Sequence, residues 1–250
     1  MSAAAGDELG LRSVLAEMWG VYRHHWRFLV PAAMIILLPQ AIADGVLEGF
    51  HVEHIRNLVD VATIGVALLT AAVNLMGQAI YSGLTAAAVV DWRAGQPLPP
   101  TGKLIRSMPI GRLILLDLAV TLGAAIGFVL LIVPALVFLT YVSAAAPVMK
   151  LEHRGVWDSM RRSVGLVRGR ARKVFVIVAG TIVVTELAVQ AMAAPFDGAV
   201  VLTVVNLLGE AIFQPFEGLA IAIVAVRLLI LHGEAPAPSV MAGALVGETD

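Results

Sequence analysis

Asn206, Glu210 and Gln214 recur at intervals of four residues, and Glu217 follows one turn later. On a helix that spacing stacks all four side chains on one face. Pro215 interrupts the stripe, removing a backbone hydrogen bond and permitting a kink. Aligned carboxylates and amides of this kind can pass protons, coordinate an ion or hold a polar headgroup. Their setting sharpens the question, because the stripe lies inside the apolar run 199–231. An ionisable group at the centre of such a run costs about 2.5–3.5 kcal/mol on insertion into a membrane. Glu186 sits in a second apolar run, 174–193, and Asp117 in a third.

Asn74, Gln78 and Ser82 repeat the stripe earlier in the chain. Facing stripes define a candidate polar cleft of Asn74, Gln78, Glu186, Asn206, Glu210, Gln214 and Glu217. The plainer use of the same groups is interhelical hydrogen bonding, about 0.6 kcal/mol apiece in membrane bundles. Gln78 stands opposite Glu210, so a symmetric pair of carboxylates is not expected.

The two stripes belong to a repeat. Val73–Tyr81 reads VNLMGQAIY and Val205–Phe213 reads VNLLGEAIF, 132 residues later. Gly20–Arg27 aligns in turn with Gly165–Arg172. Its larger offset is accounted for by a longer outer loop in the first unit. Duplicated membrane units of this kind place their sites between the copies. The repeat units span about 10–100 and 155–235, with a middle hairpin at 113–149.

Hydrophobic residues make up 59% of the 250, charged residues 14%, and mean hydropathy is +0.90. Soluble domains carry about a quarter charged residues, and several apolar runs here reach the ~20 residues that span a bilayer. A water-soluble fold is therefore excluded. There is no cysteine, hence no disulfide or thiolate metal site. The first apolar run begins only near Phe28, after a polar N-terminus, which is not the pattern of a cleaved secretory signal.

Apolar blocks cover 28–47, 61–90, 113–149, 174–193 and 199–231. The third would be roughly 55 Å long as one helix, against a hydrocarbon core of about 30 Å. Its flanks, 91–112 and 150–173, are both basic, and basic connections stay cytoplasmic. The block therefore folds into a hairpin turning near Val133–Pro134, with a short, partly re-entrant second arm. The fold class expected is all-α: a polytopic integral membrane protein of six transmembrane helices with interfacial amphipathic helices and an internal repeat. Residues 1–27 form a cytoplasmic N-terminus, 28–232 the six-span domain, and 233–250 a cytoplasmic tail. Outside lie Ile42–Asp60 and a tight turn at Pro195–Asp197. All basic residues but Arg56 then fall on the cytoplasmic side.

Each unit opens with an amphipathic helix suited to the headgroup plane. In the first, Leu11, Val14, Leu15, Met18, Trp19 and Tyr22 form the apolar stripe, with Arg12, Ser13, Glu17 and Arg23 facing water. In the second, Val156, Met160, Val164 and Val167 oppose Asp158, Arg161, Arg162 and Arg168. Arg161, Arg162, Arg168, Arg170, Arg172 and Lys173 form a candidate contact for anionic lipid headgroups, each basic residue contributing about 1 kcal/mol near such a surface. The same cluster serves equally as a topology signal. Gly123 and Gly127 form a small-xxx-small pattern that favours close helix packing.

Pro147, Glu152, Arg161, Arg162, Ser163, Leu166 and Gly169 lie in a stretch that resembles the glycerophosphoryl diester phosphodiesterase membrane domain family and related six-span bacterial proteins. Asp91-Trp92-Arg93-Ala94-Gly95 resembles the way that family closes a helix. Arg227 and Gly233 stand at the corresponding end of the last helix, without the aspartate. The resemblance implies a stand-alone membrane domain. It does not imply the phosphodiesterase, whose barrel needs ~250 residues of its own.

Metalloprotease, nucleophile-elbow and nucleotide-binding motifs are all missing. His51, His54 and Glu48 share an outer loop, but that arrangement is rarely a metal site. No catalytic residue, cofactor or metal is expected. Partners expected are membrane lipids through anionic headgroups and a membrane protein, not nucleic acid. The function implied is that of a non-catalytic protein of the bacterial inner membrane, in envelope or lipid homeostasis or as a scaffold. The alternative is a small transporter or lipid-handling protein using the cleft between spans two, five and six.

Overall fold

The computed structural model describes residues 9–47, 80–98, 110–130, 132–152 and 154–234. Among them every regular element is an α-helix and none is a strand. Helix α1 runs Leu11–Leu47, and α2 is described over residues 80–93. There follow α3 (Ile110–Leu130), α4 (Ile132–Val142), α5 (Ala145–Glu152), α6 (Val156–Val167), α7 (Ala171–Ala193) and α8 (Ala199–Leu231). Among the described residues α7 and the Val200–Leu231 part of α8 are long and apolar enough to cross a membrane.

α8 is the central element. α1 runs antiparallel along it, since Ser13 and Glu17 meet Arg227 while Tyr22 packs on Phe216 with ring centres 4.5 Å apart. α2 is also antiparallel to α1. Glu17 meets Arg93, Trp92 closes on Gly20, and the Tyr81 hydroxyl donates to the Leu29 carbonyl at 3.5 Å. It follows that α2 and α8 are parallel, with Thr85 against Gly218. Gly218 meets both Thr85 and Tyr81, one turn apart on α2. α2 and α8 are thus two like-directed helices with the N-terminal half of α1 against both. α7 packs antiparallel on α8, where Thr185 meets Glu217 and Met192 closes on Gly209.

Glycines set these close approaches. A Cβ on Gly218 would lie 2.8 Å from Thr85 Cγ2, and one on Gly209 would lie 2.5 Å from Met192 Cε. Val14, Met18, Val21 and Leu29 of α1, Val89 of α2, Leu166 of α6, Ile177 of α7 and Ile223 of α8 share one buried apolar cluster. A second joins Leu37, Leu84, Leu113, Leu116 and Met149.

Four expectations change. The N-terminal amphipathic helix and the first apolar run are one continuous helix of 37 residues, with no boundary at Phe28 and continuing past Ile42. Histidines at 24 and 25 sustain the helix. In the second unit, Gly169 takes φ +84° at the aligned position and separates α6 from α7. Secondly, the expected stripe of α1 is divided: Val14 and Met18 are buried, while Leu11, Leu15 and Trp19 are exposed. Glu17, expected to face water, is buried.

Thirdly, α6 does not rest on a Val156–Val167 stripe. Ser159, Ser163, Leu166 and Val167 point inward, and Trp157 and Val164 point out. The small serines let α6 approach the bundle on a face that hydropathy alone marks as polar. Fourthly, Val133–Pro134 is not a turn: α3 ends at Leu130, α4 begins at Ile132, and both residues lie within α4. Pro134 instead occupies the first turn of α4, where its missing N–H is tolerated. α3 and α4 pack on each other, and Gly123 makes the close contact, 2.6 Å from a built Cβ to Phe138 Cζ. The expected second arm is broken at 143–144 into α4 and α5. The tight turn at Pro195–Asp197 lies between α7 and α8, with Gly198 at φ +94°.

Candidate functional site

The strongest polar constellation among the described residues joins three helices at one end of the bundle. Glu17 of α1 is 9% exposed and sits between two guanidinium groups. Arg93, the last residue of α2, donates from Nε to Oε1 at 2.5 Å and from Nη2 to Oε2 at 2.8 Å. Arg227 of α8 donates from Nε and Nη2 to Oε2 at 3.0 and 2.7 Å. Arg227 also reaches the Ser13 hydroxyl at 2.6 Å and the Ser13 carbonyl at 2.9 Å. Paired charge-assisted bonds to one carboxylate are both strong and directional. Both arginines lie near helix C-termini, where the backbone dipole favours a cation.

Those helix ends are built alike. After α2, Gly95 (φ +64°) and Gln96 bond back to Trp92 and Asp91; after α8, Gly233 (φ +81°) and Glu234 bond back to Ile230 and Leu229. These are Schellman caps, which need a glycine in the left-handed region. A shallow open depression of ≈ 630 Å³ lies beside the ion cluster, lined by Ala16, Glu17, Trp92, Arg93 and Ile230.

A second ion set lies at the same end. Glu152 pairs with Arg154 and with Arg162 Nε at 3.4 Å, and Arg162 Nη2 lies 2.5 Å from Glu234 Oε1. The Arg162 guanidinium holds the Glu234 carboxyl below its ordinary value. Ser163, fully buried, donates to the Tyr141 carbonyl at 2.7 Å. That carbonyl stands at the end of α4, where intrahelical donors run out. The residues carrying the family resemblance therefore have definite positions. Glu152 and Arg162 tie α5, α6 and the end of α8 together, Ser163 closes α4, Leu166 is in the core and Gly169 breaks the helix.

The expected cleft residues are placed unevenly. Asn74 and Gln78 lie outside the described residues, as do Glu48, His51 and His54. Glu217 is half-buried and accepts a hydrogen bond from Thr185 of α7. Glu186 is exposed on α7 and accepts from Gln190 Nε2 at 2.9 Å. Asn206 and Glu210 are exposed on α8, and Gln214 is partly buried. The structure thus brings Glu217 to α7 and leaves Asn206 and Glu210 on the outside of the described body. Asp117 Oδ2 of α3 is buried without a hydrogen-bond partner among the described residues.

Of the expected headgroup contacts, Arg161, Arg168, Arg172 and Lys173 are exposed and Arg170 is partly so. Arg162 is turned toward Glu152 and Glu234. Trp157, 69% exposed, shares the outer face of α6 with Arg161, Val164 and Arg168 at successive turns.

Sequence reasoning missed the Glu17–Arg93–Arg227 cluster because each member was assigned separately, two as topology signals and one to a wet face. A signal existed: Glu17 lies four residues after Ser13 and between Val14 and Val21, within reach of the buried side of α1. Comparison of the chain with known protein families, with curated proteins and with solved structures finds no match.

Proposed function

We propose that the chain is a six-span, non-catalytic protein of the bacterial inner membrane, with both ends cytoplasmic, acting in envelope or lipid homeostasis or as a scaffold for a membrane partner. The observation that carries this reading is the outer surface of α7 and α8. Val176, Val183, Val184, Leu187, Val200 and Val204 are all exposed there. Apolar side chains in such numbers on one exposed face suit lipid and not water. Basic residues complete the case, because Arg93, Arg162 and Arg227 gather at the end where α1 begins and α2 and α8 finish. That is the distribution of a cytoplasmic face. The Trp157/Arg161/Val164/Arg168 face of α6 has the aromatic and cationic groups of an interfacial helix. The family resemblance supports the same six-span architecture.

Washing membranes at alkaline pH tests the reading: the protein is expected to remain with the membrane pellet. Quantitative release into the supernatant would refute it. A second reading, transport or lipid handling through a cleft, is favoured by the Thr185–Glu217 contact, a polar link inside an apolar helix pair. Under that reading a Glu217→Gln variant folds normally and loses transport, whereas a purely packing role leaves cellular phenotype unchanged.

A further inference from the structure

We infer that the depression between the N-terminal half of α1 and the ends of α2 and α8 binds the phosphate group of an anionic membrane lipid. Arg93 commits Nε and Nη2 to Glu17, which leaves both hydrogens of Nη1 without a protein acceptor among the described residues. Arg93 also lines the depression, and its side chain is 26% exposed. The guanidinium is therefore held rigidly by Glu17 while still presenting a free donor edge. A fixed guanidinium of this kind suits phosphate oxygens.

The other walls are Ala16, Trp92 and Ile230, which offer apolar contact to glycerol and acyl carbons. A soluble phosphate compound would gain nothing from those walls. Leu11, Leu15 and Trp19, exposed on the same half of α1, place the depression beside an apolar surface continuous with lipid. Trp92 adds an indole, a side chain that collects at membrane interfaces.

This inference rests on the membrane reading above, and the experiment separates the two. The full chain in mild detergent is offered phosphatidylglycerol or phosphatidylcholine, and retained lipid is counted by native mass spectrometry. Preferential retention of phosphatidylglycerol is expected. Ala16→Glu places a carboxylate on the wall of the depression, and Ala16→Gln matches its bulk without the charge. The Glu variant should lower the preference by roughly fivefold or more relative to the Gln variant, the effect of one charge at an anionic surface. Equal retention of the two lipids, or the same preference in both variants, would overturn the inference. So would displacement of phosphatidylglycerol by millimolar inorganic phosphate, which would reassign the groove to a soluble phosphate. A chain that stays soluble after detergent removal and does not sediment with vesicles would overturn the membrane reading itself.

Discussion

Removing the carboxylate at position 17 is the most informative perturbation of the bundle. In Glu17→Gln the amide fills the same space, so packing is preserved. Arg93 and Arg227 are then left as two cations around a neutral group. Breaking a buried ion pair by removing one member costs about 3–5 kcal/mol. Here the burial is incomplete, with side-chain exposure of 26% for Arg93 and 14% for Arg227, and solvent screens such pairs. The expected loss is therefore about 2–3 kcal/mol. For a domain of this size that corresponds to a fall in melting temperature of roughly 5–10 °C. Thermal unfolding in mild detergent, followed by circular dichroism, reads the change. The double variant Glu17→Gln/Arg227→Gln removes one charge of each sign, so its loss should be smaller than the sum of the two single losses by ~1–3 kcal/mol. A melting temperature within about 1 °C of wild type, or simple additivity, would show that the cluster is an ordinary surface pair worth no more than ~1 kcal/mol.

Three further outcomes follow from particular contacts. Gly218→Val drives a branched side chain into Thr85 and Tyr81, and overpacking of this kind costs about 1–3 kcal/mol; an unchanged melting temperature would mean that α2 and α8 are not in contact there. Ser163→Ala leaves the Tyr141 carbonyl without its buried donor, a loss of about 1–3 kcal/mol that thermal unfolding would show, and a silent substitution would remove Ser163 as the closure of α4. Glu234 has its carboxyl held low by Arg162, so its link to α6 is complete above its ordinary 4.5 and is lost only as pH falls through the depressed folded value. Hydrogen exchange at the Glu234 amide, compared between wild type and Glu234→Gln at each pH, should differ at neutral pH and converge in acid; a difference that grows in acid would reverse the assigned sign.

The sequence made the helical class legible because apolar runs of this length admit little else. Of the nine-residue motif at Val73–Tyr81, residues 73–79 lie outside the described residues; the structure sets α2, which follows it, parallel to α8. That the block 113–149 is not one helix was legible from its length and from charge on both flanks. The place of its break was not, because Pro134 is equally at home in a turn and in the first turn of a helix. Amphipathic stripes were read less well. On α1 hydropathy assigned Glu17 to water and on α6 it assigned Val164 to the apolar face, yet Glu17 is buried and Val164 exposed. Glu17 needs Arg93 and Arg227, 76 and 210 residues away, and no local period reports such pairing. The break at Gly169, against continuity at His24, shows the same limit: two aligned segments diverge in path because one residue tolerates the left-handed region and the other sustains a helix.

Side-selective labelling tests the central claim most directly. The native chain has no cysteine, so Gln96→Cys, Arg168→Cys and Asp197→Cys each provide one thiol at an exposed position between helices. With a membrane-impermeant maleimide, positions 96 and 168 should react only in inside-out vesicles, and position 197 only in right-side-out cells. Labelling of 96 and 168 from opposite faces would contradict a bilayer-embedded bundle whose ion-paired end faces the cytoplasm.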